Sequence, residues 1–224
     1  MNGQMTAGIL ASILAALLFT GMDVSAKALA HLGMGEITFI RGLVGLLFIP
    51  FLARGEGKPL FSGKDRGLLH LRGLMGGFGI LLFFYSLPGL TLGDAEILVQ
   101  LSAFFMCILS PLFLKTTPSG KVAVWLFVIA AGAAVVLRIW NFQAFNRYAF
   151  LGLLSSFCSA CAYTCIGKLT EKGGHSGAEL VFYFQAYSMV GGAALMAGHT
   201  VMPLLGDWPW ILLLSFSALF AQVA

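Results

Sequence analysis

Apolar residues fill this chain in long blocks, and the breaks between blocks are short. Eight apolar spans can be read at about 6–30, 35–53, 67–87, 91–114, 121–138, 147–168, 178–198 and 208–224, each bounded by charge, Gly or Pro. Most approach the ~20 residues a helix needs to cross ~30 Å of hydrocarbon. Gly, Ala, Ser and Leu are dispersed through them without strict alternation, which suits helices rather than barrel strands. The short connections predict antiparallel neighbours. The pattern therefore predicts an all-α, polytopic membrane helix bundle.

Composition agrees. Hydrophobic residues make up 59% of the 224 positions and charged residues only 10%, against about 25% charged in a soluble domain. The formal charge of +4 comes from basic residues scattered among short loops, with no basic stripe, so nucleic acid is not an expected partner and the lipid bilayer is. The four cysteines lie in apolar segments. Cys158, Cys161 and Cys165 share one helix face, without the His or carboxylate neighbours that a metal site would need; no metal or cofactor is expected. Ala28-Leu29-Ala30 has the form of a signal-peptidase site. However, no Lys or Arg precedes the apolar run, and Thr6 to Met22 exceeds a usual h-region, so the first span reads as retained.

Loop charges orient the bundle. With a cytoplasmic N-terminus, the inner loops hold Arg54, Lys58, Lys64, Arg66, Lys115, Lys121, Lys168 and Lys172, and the outer loops hold Arg138 and Arg147. That asymmetry follows the positive-inside rule, and Trp125, Trp140, Trp208 and Trp210 fall near span ends as an interfacial belt. An integral protein of a bacterial-type inner or plasma membrane is the expected localisation.

Six charges then gather in the outer halves of their spans: Asp23, Lys27, Glu36, Arg41, Asp94 and Glu96. A charge at mid-bilayer costs roughly 2.5–3.5 kcal/mol on insertion scales, so such groups face a partner or a wet cavity. Asp23 and Lys27 sit one turn apart on one helix face. They can neutralise each other as a salt bridge, or serve as a gate or proton-coupling site. Arg41 can pair with Glu36, Asp94 or Glu96, or hold a substrate carboxylate or phosphate in its planar fork. Glu96 and Gln100 share a face of the fourth span and are expected to look into the cavity. Tyr85, Tyr183, Gln185 and Tyr187 are weaker candidates of the same kind, since such residues often only bridge helices. Gly73 and Gly77 form a G-x-x-x-G packing device, and the absence of a following G-K-[ST] excludes a phosphate loop. His31, His70, His175 and His199 fall at span ends and read as interfacial.

An internal repeat is also visible. A shift of 144 pairs Gly8 with Gly152, Leu10 with Leu154, Ser12 with Ser156, Ala16 with Ala160 and Thr20 with Thr164. A shift of 143 pairs Glu36 with Glu179 and Phe39 with Phe182. The unit holds five spans, an odd number, so the second copy enters the membrane from the opposite side. Residues 1–141 form the first five-helix repeat on this reading, and 142–224 part of the second. Doubling the unit needs about 288 residues and ten helices, so the chain, ending in apolar sequence, is expected to present eight of ten.

These residues resemble a known family. Gly8 to Lys27, Glu36-Ile37-Thr38-Phe39-Ile40-Arg41, Phe84-Tyr85-Ser86-Leu87 through Gly93-Asp94-Ala95-Glu96, Leu101-Ser102, and Gly152 to Lys168 are similar to segments of the drug/metabolite transporter superfamily, EamA-domain type. Two positions depart from that pattern: Ala103 where a Pro often follows Leu-Ser, and Thr116 where a Glu often follows Leu-Lys. The resemblance implies ten helices in two inverted five-helix repeats and an amino-acid-like, nucleoside-like or related metabolite as substrate. A secondary active transporter working by alternating access is thus the leading expectation, with a small-molecule substrate, protons and a second copy of the chain as the partners it admits. Without an ATP-binding motif, energy would come from an ion gradient or exchange. The competing expectations are a membrane-embedded transferase or hydrolase and an inactive fragment of a transporter.

Overall fold

The computed structural model describes residues 2–56, 60–113, 119–136, 147–196 and 200–223. Eight α-helices follow one another: α1 (Asn2–Ala28), α2 (Met34–Glu56), α3 (Arg66–Ser86), α4 (Leu92–Phe113), α5 (Gly120–Val136), α6 (Arg147–Lys172), α7 (Gly177–Met196) and α8 (Trp208–Val223). Single 3₁₀ turns at Leu87–Gly89 and Leu205–Asp207 lead into α4 and α8. Each helix coincides with one of the eight apolar spans, and α1, α2, α3, α4 and α6 are long and apolar enough to cross a bilayer alone. The protein is a polytopic membrane helix bundle. Lys58, Lys115, Thr116, Arg138, Trp140 and His199 lie outside the described residues.

The distribution of polarity is that of a protein solvated by hydrocarbon. Ile9, Leu10, Ile13, Leu14 and Leu17 on α1 and Val124, Trp125 and Phe127 on α5 are exposed, whereas Ser25, Thr38, Ser86, Ser156, Thr164, Gln185 and Ser188 are buried. Hydroxyls inside an apolar bundle bond back to their own helix: Ser25 to the Gly21 carbonyl at 2.7 Å, Thr38 to Met34 at 2.8 Å and Ser188 to Phe184 at 2.8 Å. Two such bonds recur 144 positions apart. Ser12 and Ser156 bond to Gly8 and Gly152 at 2.9 Å each, and Thr20 and Thr164 bond to Ala16 and Ala160 at 3.0 and 2.8 Å.

Helix pairing has a regularity of its own. α1 packs on α8 and α6 on α3; α2 packs on α8 and α7 on α3; α2 and α7 pack on each other. Exchanging α1 with α6, α2 with α7 and α3 with α8 leaves that set unchanged. α4 runs continuously through Ala103 and Pro111 and packs on α6, where Ser156 donates to the Leu98 carbonyl.

Glycine permits the central crossings. A Cβ on Gly42 would stand 2.8 Å from the Met189 backbone nitrogen and 2.9 Å from the Gln185 carbonyl oxygen, and one on Gly192 would stand 2.6 Å from the Phe39 nitrogen. The G-x-x-x-G of α3 does the same against α7, with 2.7 Å from Gly73 to the Tyr183 oxygen and 2.9 Å from Gly77 to the Ser188 nitrogen. Backbone cannot yield as a flexible side chain can, so Gly42→Ala should destabilise the bundle by about 1–3 kcal/mol in SDS-titration unfolding. Gly8→Ala, whose Cβ meets nothing within 4 Å, should cause no loss.

Candidate functional site

Three polar clusters lie along the bundle: one in the interior and one at each end. The interior cluster is built from α1, α2, α3, α4 and α7. Asp23 and Arg41 are buried to 2% and 1% exposure, and Asp23 faces both the Arg41 guanidinium and the Glu96 carboxyl of α4. Arg41 rests on the ring of Phe184, its guanidinium carbon 4.9 Å from the ring centre, and Arg72 rests on the same ring at 4.7 Å. Gln185, fully buried next to Phe184, has neither amide atom hydrogen-bonded among the described residues; the same holds for Arg41 Nε and Nη1, Arg72 Nε and Asp23 Oδ1. Buried polar groups normally find partners, and here Asp23, Arg41, Arg72 and Gln185 each keep at least one atom unmatched among the described residues.

The structure sorts the sequence candidates. Asp23, Arg41 and Glu96 come together. Lys27 does not join them: it is exposed and donates from Nζ to the Leu90 carbonyl at 2.9 Å, across to the 3₁₀ turn before α4. Lys27 thus goes to a backbone carbonyl instead of forming the salt bridge that its spacing from Asp23 allows, and the cation whose charge bears on Asp23 is Arg41 of α2. Shared helix face permits contact but does not compel it when another cation lies across the interface. Glu36 and Asp94 are also committed elsewhere, Asp94 in a reciprocal cap with Thr91, whose hydroxyl donates at 2.7 Å. Gln100 is exposed, contrary to the expectation that it lines the cavity. Glu96, one turn earlier on the same helix face, is half-buried against Asp23, whereas at Gln100 that face is open. Tyr85 is 38% exposed and lies outside the cluster. Tyr183 and Tyr187 meet His70 instead, the Tyr187 hydroxyl 2.9 Å from His70 Nδ1.

Two members went unnoticed in the sequence, Arg72 and Phe184. Arg72 had a signal, since it is a charge six positions inside the third apolar span. Phe184 had none, because one Phe in an apolar helix looks like any other.

The end clusters mirror each other. At one end, Glu36 accepts from the backbone N–H of Gly33 at 3.1 Å and from that of Val201, and His31 Nε2 lies 3.1 Å from Asp207 Oδ2. At the other end, Glu179 accepts from the backbone N–H of Ser62 at 2.9 Å and its second oxygen lies 2.9 Å from His175 Nδ1; His175 Nε2 lies 3.5 Å from Asp65 Oδ2. Each carboxylate in the first turn of α2 or α7 thus clasps the segment that follows the other helix. Each histidine just before those helices reaches the aspartate just before α8 or α3. Lys172 also bonds Asp65, whose backbone takes the left-handed region at φ 46°. The four thiols are free, with Cys158 and Cys165 buried on α6, and among the described residues no group of His, Cys, Asp and Glu could hold a metal ion.

The fold is that of a polytopic membrane helix bundle with a charged interior and matched polar clusters at its two ends. Residues 6–138 match the EamA-like transporter family, and this chain belongs to it. It is also 34% identical over 218 residues, 96% of this chain and 76% of the relative, to a protein described as "Pseudopaline exporter CntI" in Pseudomonas aeruginosa strain UCBPP-PA14, and equally to its counterpart in strain PAO1. The protein is an integral membrane protein of a transporter family with bacterial relatives.

The Asp65 carboxyl is held below the usual carboxylate range, first by its bond to Lys172 and then by His175, and Asp207 is lowered first by His31 and then by the Leu204 N–H. A depressed carboxylate stabilises the fold above its unfolded value of about 3.9 and ceases to do so as pH falls through its folded value. Thermal unfolding midpoints should therefore fall between about pH 5 and about pH 3, and less steeply in Asp65→Asn than in the wild type.

Proposed function

We propose that the protein is a secondary active transporter that moves a small polar metabolite by alternating access between two five-helix units of inverted topology. The observation that carries this reading is the interior cluster of Asp23, Glu96 and Arg41, which brings three membrane-embedded ionisable groups from three helices together. Such groups mark substrate paths and proton relays, and transporters built on inverted repeats bind at the interface of the two halves. The recurring side-chain bonds at 144-residue spacing and the exchange-symmetric helix pairing favour the same plan. Residues 1–141 would form the first unit and 142–224 belong to the second, with the N-terminus cytoplasmic by loop charge.

Each cluster then has a role. Opening one end requires releasing Glu36 from Val201 and His31 from Asp207; opening the other requires releasing Glu179 from Ser62 and His175 from Asp65. With both closed, the interior is occluded. Asp23 and Glu96 are the coupling pair, since two carboxyls that face each other share a proton more readily than they both ionise. A proton taken or released there would change the hold on Arg41, so ion movement and substrate movement are linked at one place. The relative's description as a pseudopaline exporter makes export the favoured direction, and pseudopaline the first solute to offer. The homodimer remains an expectation of the reading, tested by the mass of the purified protein in detergent.

The test is counterflow in proteoliposomes carrying a pH gradient. Pseudopaline should accumulate in vesicles of wild-type protein, and Asp23→Asn should abolish the dependence on the gradient while leaving the helical content intact. Gradient-driven uptake unchanged in Asp23→Asn would rule out the coupling role.

A further inference from the structure

Arg72 is the charge that the transporter reading leaves without a task. It enters the interior from α3, which starts at the end carrying His175 and Asp65, whereas Arg41 enters from α2, which starts at the end carrying His31 and Glu36. At 1.5 Å per residue each lies roughly 9–11 Å from the start of its own helix, so the two guanidinium groups descend from opposite ends. They meet on one ring, each within 5 Å of the centre of Phe184.

The two buried cations repel each other, and the cluster's acids bear on Arg41 rather than on Arg72. Arg41 faces Asp23, but Asp23 also faces Glu96. The side chains that bear on Arg72 are Tyr163 and Cys165 of α6 and Arg41 of α2, and none of them is a carboxylate. Arg72 is 7% exposed, and its Nε has no hydrogen-bond partner among the described residues, like Nε and Nη1 of Arg41. A ring face offsets only part of the hydration that a buried cation loses. Counter-charge is needed, and the planar forks of arginine suit carboxylate oxygens in pairs.

We propose that Arg41 and Arg72, joined through Phe184, form a two-point anion site, and that the substrate carries at least two carboxylates, one for each fork. The assignment rests on the transporter reading and names its substrate class. Because the forks approach from opposite ends, a dicarboxylate passing through the interior meets Arg72 first from the His175 end and Arg41 first from the His31 end. Phe184 brings both guanidinium groups within 5 Å of one ring centre, where a single ligand can meet both.

Titration of the purified full-length chain in detergent tests this, with the thermal unfolding midpoint as readout. Succinate and citrate are the probes and choline is the cationic control. Succinate and citrate should raise the wild-type midpoint and choline should not. Arg41→Gln and Arg72→Gln should each weaken the apparent carboxylate affinity by about tenfold or more, the loss expected when a charged hydrogen-bond partner is removed. Arg41→Lys and Arg72→Lys, which keep the charge and lose the fork, should weaken it less, and they carry the comparison if a Gln variant fails to fold. Stabilisation by choline alone, no stabilisation by either carboxylate, or carboxylate binding undiminished in the variants would overturn the assignment. Counterflow with the same solutes separates this outcome from failure of the carrier itself. Choline counterflow without succinate counterflow keeps the transporter and removes the dicarboxylate; succinate binding without any counterflow removes the transporter and keeps the site.

Discussion

The close crossing of α2 and α7 is the constraint on which the rest of the structure depends. Gly42 lies against the Gln185 carbonyl and the Met189 backbone, and Gly192 against Phe39 and Gly35. Arg41 directly precedes Gly42, and Phe184 directly precedes Gln185. The backbone contact that only glycine allows is thus the same contact that seats a guanidinium on an aromatic ring. Separate the helices by one methyl group on either side and the cation loses the surface that makes its burial tolerable. Packing and chemistry share one set of atoms here.

That economy follows from the solvent. Lipid offers no hydrophobic drive for helices to associate, so close packing and interhelical polar contact must supply the association. The bundle uses both at each level. Small residues bring α2 to α7 and α3 to α7, while hydroxyls on α6 reach across to the carbonyls of Gly79 and Leu98. At the ends, where water returns, carboxylates take over. Glu36 and Glu179 each satisfy backbone N–H groups of a segment distant in sequence, and so tie together helices that the interior crossing already holds. Both carboxylates are buried at the two ends of the bundle, so each end is closed by a bond between segments distant in sequence.

An uneven distribution of charge results. Interior cations and acids are few, and they converge from four helices, α1, α2, α3 and α4. The ends carry histidine beside carboxylate, His31 with Asp207 and His175 with Glu179 and Asp65.

Much of this was legible in the sequence. Hydropathy alone located all eight helices, because in hydrocarbon the length and apolarity of a segment decide its fate. The family membership followed from residues spread along the chain, and the packing role of Gly73 and Gly77 from their spacing. Asp23, Arg41 and Glu96 stood out because a charge in an apolar span is conspicuous wherever it points. The choice of partner was not legible. Spacing put Lys27 beside Asp23, yet the tertiary fold sends Lys27 to the Leu90 carbonyl and sets Asp23 against Glu96 and within the field of Arg41. Spacing also put Gln100 beside Glu96, and the fold covers Glu96 while leaving Gln100 exposed. Arg72 and Phe184 acquire meaning only when α3 and α7 meet. One-dimensional sequence specifies which groups are costly to bury; only the crossing of helices far apart in the chain decides which of them share the cost.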